Sequence, residues 1–381
     1  MGAAMYVYSI VFFVCLTLGL LSLKFKTHDT TIKLILVALT FLLAFRYGQG
    51  TDYFSYNVLF NENYSISRAL KNGIGHGEIG FKLLCAVFNG NYQAFVFFVS
   101  LYQGFLLYRF LKKHCDNMGF SLLLFIPTIF LTYYFSAIRQ GIVVATFIGI
   151  GISLIESKSW KSYVLMCVIL STIHSVALVY LLIPLVTRVR HYFSLALFLP
   201  VSAVIGVLLG SEFGIGILLR IPYIGQYLGS YLKIGYSWFA IAERVVTLTL
   251  VLLLYRASKF FKNGHDPWWI KAYILGYILY FTLMPFSTLS TRTLVCYRVL
   301  EVMFIPNMIK NTKGSIKLVT TCGFLALTIV MYVHHVDGYL KQGNYYSNVN
   351  ILNYPYVSVF DKASLWSYRE SDKYYEILNK P

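Results

Sequence analysis

Long, uniformly apolar runs recur along this chain from one end to the other, and they limit its fold more than anything else in it. A bilayer offers no water to an unpaired N–H or C=O, so a spanning segment must be a helix or part of a closed barrel. Barrel strands alternate apolar and polar residues with period two. These runs do not alternate, so they read as helices. Composition agrees: 58% of the 381 residues are hydrophobic, 12% are charged, and the mean hydropathy is +0.66. The expected fold is all-α, a polytopic integral membrane helical bundle. It would have about twelve membrane segments, some short or broken. It would form one domain over residues 1–381.

The formal net charge is +17. In a soluble chain that would point to nucleic acid. Here the lysines and arginines mostly sit in short clusters between apolar runs, the pattern that sets membrane orientation. Nucleic acid is therefore not an expected partner, whereas anionic headgroups and anionic substrates are. Cys15, Cys85, Cys115, Cys167, Cys296 and Cys322 are scattered and mostly in apolar surroundings, as core filler. The first run lacks a basic leading region and a clear cleavage site, so it reads as a retained helix.

The basic clusters give a topology. A helix over 5–23 runs inward to Lys24, Lys26 and Lys33, and one over 31–46 brings Arg46 to the outer face. A polar outer loop, 47–77, follows, then a short amphipathic or re-entrant helix, 78–90, opened by Glu78. Helices over 91–110, 119–135 and 138–155 come next. The run 162–187 keeps later clusters cytoplasmic only if it breaks at Ser171–Ser175, with His174 at the outer bend. Helices over 192–210, 237–255, 268–288, 293–309 and 318–334 complete the bundle. The outer loops 211–236 and Ser287–Thr293 and a Tyr- and Asn-rich outer tail, 335–381, accompany them.

Ionisable groups in membrane segments are costly and usually paired or functional. Ten stand out: Arg46, Asp52, Glu78, Arg139, His174, Glu243, Arg244, Arg292, Arg298 and Glu301. The topology puts all ten at or just below the outer surface, as an outward-facing active cavity requires. Structural readings compete. Glu243 and Arg244 are adjacent, so they should not face each other, while Arg298 and Glu301 are spaced as an ion pair. His174 could be a satisfied core histidine, and Arg139-Gln140 could cap a helix and meet headgroups. No metal-binding spacing, Walker loop or nucleophile elbow is present, and no cofactor is expected. Arginines could hold a diphosphate as a leaving group. A carboxylate or histidine could take the proton from an attacking hydroxyl.

Arg46-Tyr47-Gly48-Gln49-Gly50-Thr51-Asp52-Tyr53 ends an unbroken apolar run, and Tyr56 follows it. Its glycines let the backbone turn and permit close approach. With Glu78-Ile79-Gly80-Phe81 and Ser136-Ala137-Ile138-Arg139-Gln140-Gly141, it resembles the successive signatures of the EpsG family of Wzy-like bacterial exopolysaccharide polymerases. His174, Arg292, Tyr297-x-x-x-Glu301 with Ile305-Pro306-Asn307, and Tyr354-Pro355-Tyr356 continue the resemblance in order. Gln49 stands where that pattern has an apolar residue, and Arg298 is an additional cation.

The resemblance implies a metal-independent polymerase similar to lipid-dependent glycosyltransferases. It would join undecaprenyl-diphosphate-linked oligosaccharides, for O-antigen, capsule or exopolysaccharide, at the periplasmic face of the bacterial cytoplasmic (inner) membrane. Membrane lipid surrounds such an enzyme, and a chain-length regulator protein is the partner such a system would add. Arg46, Arg139 and Arg292 are the first candidates for the diphosphate, then Arg244 and Arg298. Asp52, Glu78, His174 and Glu301 are the acid–base candidates, with Gly48, Gly50, Tyr53, Gln140 and Tyr297 around them. A flippase for lipid-linked oligosaccharide would want charges through the membrane's depth. A membrane O-acyltransferase would want a cytoplasmic histidine or acid.

Overall fold

The computed structural model describes residues 6–73, 77–221, 235–258, 260 and 265–379. Lys233 and half of the loop 211–236 lie outside the described residues, as do Lys259 and Lys262. Among the described residues the chain is helical, with isolated bridges and no strands. Six helices are long and apolar enough to cross a membrane: Tyr92–His114, Met118–Ser136, Ile138–Glu156, Tyr192–Leu209, Trp238–Ala257 and Gly314–Gln342. Val7–Ser22, Trp160–Ser171 and Ser175–Thr187 are shorter apolar helices. The chain divides into two compact units, Met1–Ala177 with Thr328–Pro381, and Leu178–Leu327.

In the first unit, the helix Met118–Ser136 widens from Ile126 onward into π-type turns. Pro127 stands at the start of that stretch, where it withholds a donor. The chain then reverses at Ala137, whose N–H donates to the Thr132 carbonyl at 3.0 Å. Widened turns of this kind often mark functional sites. Here they deliver Arg139 to the first turn of the next helix.

The run 162–187 breaks as its basic flanks require. Helix Trp160–Ser171 stops, and a tighter 3₁₀ segment, Ser175–Leu182, follows. Other expectations need correction. The segment 47–77 is not a plain polar loop, because helices Tyr53–Glu62 and Ile66–Lys71 form within it. Buried Tyr53, Phe54, Tyr56 and Phe60 supply the apolar face that holds the first of these. The helix from Trp268 ends at Thr282, and the next begins at Ser287, so Ser287–Thr293 is helical. That helix runs to Arg298, tightens through Val299 and Leu300, and resumes as Glu301–Lys310. The last long helix continues to Gln342, well into the segment read as a tail.

Beyond Gln342 the tail returns to the first signature. Tyr47 N–H donates to the Val357 carbonyl and Val359 N–H to the Phe45 carbonyl, both at 2.9 Å. Gln49 is fully buried. Its carboxamide donates to the Pro355 carbonyl and accepts from the Tyr8 hydroxyl at 2.6 Å. The polar residue at this position therefore ties the first helix, the first signature and the tail together. Gln49→Leu would strand both partners in a dry interior, a loss of about 1–3 kcal/mol. Thermal unfolding should show it, together with faster proteolysis between Gly343 and Asp372. Unchanged melting and cleavage would mean the tail is held by other contacts.

The second unit packs Tyr192–Leu209 on Trp268–Thr282, and Trp268–Thr282 on Ser287–Arg298. Lipid tails give helices no hydrophobic drive to associate, so close approach over small residues matters. Gly276 does this against the Tyr297 ring. Trp269 and Phe304 stack at 5.0 Å beneath it.

Candidate active site

Three separated stretches meet at Glu78 in the first unit. Glu78 is the residue before helix Ile79–Val87, so the first turn's amides need partners from outside the helix. The break after Ser171 provides them. Gly80 N–H donates to the Thr172 carbonyl at 2.7 Å, and Phe81 N–H reaches the same oxygen at 3.2 Å. A Cβ at position 80 would collide with the Thr172 side chain, so glycine allows this docking.

Glu78 then binds in two directions. One oxygen accepts from Arg139 Nη1. The other accepts from Ser175 N–H at 2.9 Å and lies 3.6 Å from His174 Nδ1. The Arg139 guanidinium is set over Phe81 at 5.5 Å and Tyr56 at 5.7 Å. Its Nε has no partner among the described residues. Glu78 and Arg139 are each 22% exposed and His174 12%, so the group is reachable from solvent. Burial alone would raise the Glu78 carboxyl, but Arg139, the Ser175 amide and His174 hold it below the usual carboxylate value. Glu78 is therefore ionised at neutral pH and neutralises part of the charge on Arg139.

The first signature buries its arginine. Arg46 is 1% exposed, donates to the Leu43 carbonyl and lies over the Phe135 ring at 5.1 Å. Its buried Nε has no hydrogen-bond partner among the described residues. Gly48 and Gly50 adopt φ of +63° and +88°, a region that side chains avoid. Gly50 also lets Thr51 N–H reach Ser136 Oγ at 3.2 Å, beside the turn that leads to Arg139. Asp52 precedes helix Tyr53–Glu62, half-buried, with no ion pair among the described residues. Tyr53 is buried, and its carbonyl accepts from Tyr92. Gln140 is buried.

The second unit holds the remaining charges. Arg298 bridges two carboxylates, with Nη2 at 2.7 Å and Nη1 at 3.1 Å from Glu243 and Nε at 3.0 Å from Glu301. Glu243 also binds Arg244 at 2.8 Å, contrary to the expectation from their adjacency. Both side chains are long enough to curl around the helix and meet. Tyr273 donates to Glu301 at 2.8 Å, and Thr247 donates to Glu243 at 3.1 Å. Two arginines and two glutamates make this group neutral, and each side chain is at most 9% exposed. Tyr297 is fully buried and donates to the Val179 carbonyl at 2.7 Å. Arg292 is exposed on helix Ser287–Arg298.

The sequence singled out Glu78, Arg139 and His174 as ionisable groups in apolar surroundings, but not their mutual contact. It missed Tyr56 and Phe81 as the aromatic seat of Arg139, and Thr172 and Ser175 as the backbone that fixes Glu78. Among the described residues no three His, Cys, Asp or Glu side chains gather as a metal-sized group. A family model described as the EpsG family matches residues 30–379. Neither the curated proteins nor the solved structures contain a match to the chain.

Proposed function

The chain belongs to the EpsG family of Wzy-like polymerases, with a membrane polysaccharide polymerase-like role, and from that premise we propose how its first unit catalyses chain growth. The substrates are lipid-diphosphate-linked oligosaccharides, with undecaprenyl as the lipid, presented at the outer face of the cytoplasmic membrane. The growing chain is the donor. The bond between its anomeric carbon and the lipid diphosphate breaks, and a sugar hydroxyl of a new lipid-linked unit forms the replacement bond. The hydroxyl proton leaves to a base, and lipid diphosphate departs as an anion.

The meeting of Glu78, Arg139 and His174 carries this reading. A guanidinium has five donors in a fixed fork, and Glu78 takes one of them. Donors that remain can follow the charge growing on the leaving diphosphate. Glu78 and the rings of Phe81 and Tyr56 fix the fork beforehand, so little reorganisation accompanies the reaction. His174, whose Nδ1 lies 3.6 Å from Glu78, is the better placed proton acceptor, because Glu78 is already engaged by Arg139 and the Ser175 amide. Arg46 and the Arg298 group act as supports in this reading.

Purified protein in detergent, supplied only with lipid-diphosphate repeat units, should yield a ladder of polymer. A flippase or an O-acyltransferase makes none. The absence of a ladder from folded protein, with repeat units consumed by another route or left intact, would overturn the proposal.

A further inference from the structure

The helix that begins after Glu78 has a second face that the reaction leaves unused. Ile79, Leu83 and Val87 recur every four residues along Ile79–Val87, so they form one stripe. All three are exposed, Val87 most of all at 74%. The opposite face is anchored. Phe81 lies under Arg139, and Lys82 Nζ donates to the Asn72 carbonyl at 2.6 Å. Nine residues rise about 13 Å, well short of a hydrocarbon core of about 30 Å, so this helix cannot cross the membrane. A short amphipathic helix of this kind lies along the interface.

After a turn at Asn89 and Gly90, both at positive φ, the chain enters Tyr92–His114, which is long enough to cross. Its basic residues Lys112, Lys113 and His114 stand at the far end. Phe98, Leu101 and Phe105 share one face of that helix and are exposed. The Phe88 and Phe98 rings meet at 5.6 Å and join the two stripes at the corner. A continuous apolar track therefore starts one residue from Glu78, follows the interface for about 12 Å and turns into the membrane. Lipid tails are as apolar as leucine, so burial alone gives this track no preference for one lipid over another. Its continuity with the reacting group supplies the preference. A lipid diphosphate held at Arg139 keeps its own tail at high effective concentration beside Ile79, ahead of any neighbouring lipid. We propose that Ile79, Leu83, Val87 and the Phe98 face guide the polyprenyl tail of the lipid-diphosphate substrate from the bilayer to Arg139, an assignment that rests on the polymerase reading above.

The test uses full-length protein in nanodiscs of phosphatidylethanolamine and phosphatidylglycerol that contain radiolabelled undecaprenyl diphosphate. A photoreactive benzoylphenylalanine in place of Leu83 should take up about tenfold more label than one in place of Phe13. Phe13 is exposed on helix Val7–Ser22, which packs on Met118–Phe125. Val87→Asp sets a carboxylate at the corner from an exposed position, so the fold is kept. It should raise KM for undecaprenyl-linked repeat units about tenfold and change kcat less. The same units on a dimethylallyl tail, one isoprene long and too short to reach the corner, should keep their KM. Equal label at the two positions would overturn the track, as would a KM that rises alike for both tails. Preferential label at position 83 in protein that makes no ladder would uphold the track and sink the polymerase reading. A ladder with equal label would do the reverse.

Discussion

Arg139→Ala is expected to abolish long polymer and leave single repeat units on the lipid core. Purified, the variant should lose at least about 10²-fold in ladder formation, the loss that follows removal of one preorganised donor to a developing anion. The contacts of Arg139 explain why the effect should fall on the reaction. It is partly exposed, and the carboxylate it would leave behind is exposed as well. Glu78 also keeps the Ser175 amide as a partner, so its loss of Arg139 does not strand a dry charge. Thermal unfolding should therefore change little. Arg139→Lys separates charge from shape. A lysine keeps the cation but not the fork, and it cannot bind Glu78 and a phosphate oxygen in one plane. We expect it to recover only a small part of the activity. A full ladder from Arg139→Ala at normal protein levels would remove Arg139 from the mechanism.

How much of this was legible in the sequence differs from one residue to the next. The break at Ser171–Ser175 was readable because a run with basic flanks must cross the membrane the right number of times. Glu78, Arg139 and His174 were readable as expensive groups in apolar surroundings. Their contact was not, since it depends on Gly80 docking against Thr172 and on the reversal at Ala137. Arg46 read as a residue at the mouth of a membrane segment, yet it is buried. The bridge of Phe45 and Tyr47 to Val357 and Val359 covers it, and a tail of tyrosine and asparagine has no period that announces such a return. The spacing of Arg298 and Glu301 gave one ion pair correctly. Glu243, the other half of the group, stands 55 positions away.

That group supports the second large effect. Arg298→Leu should destabilise the second unit by about 3–5 kcal/mol, because removing one member of a buried ionic group leaves charge without compensation. Among the described residues, Glu301 would keep only Tyr273, and Glu243 would keep Arg244 and Thr247. The prediction separates structural from chemical roles when it is paired with Arg298→Leu/Glu301→Gln. The second change neutralises the carboxylate that Arg298 had balanced, and its amide can still accept from Tyr273. The double variant should therefore melt higher than the single one, and ladder formation should return with it. Melting at the wild-type temperature, with the ladder still absent, would mean that Arg298 acts in the reaction itself. Such a result would require the arginine to exchange a glutamate for a phosphate oxygen during turnover, at a position only 9% exposed. Its saturated bonding makes that exchange costly, which is why we place the diphosphate at Arg139 and assign Arg298 to the fold.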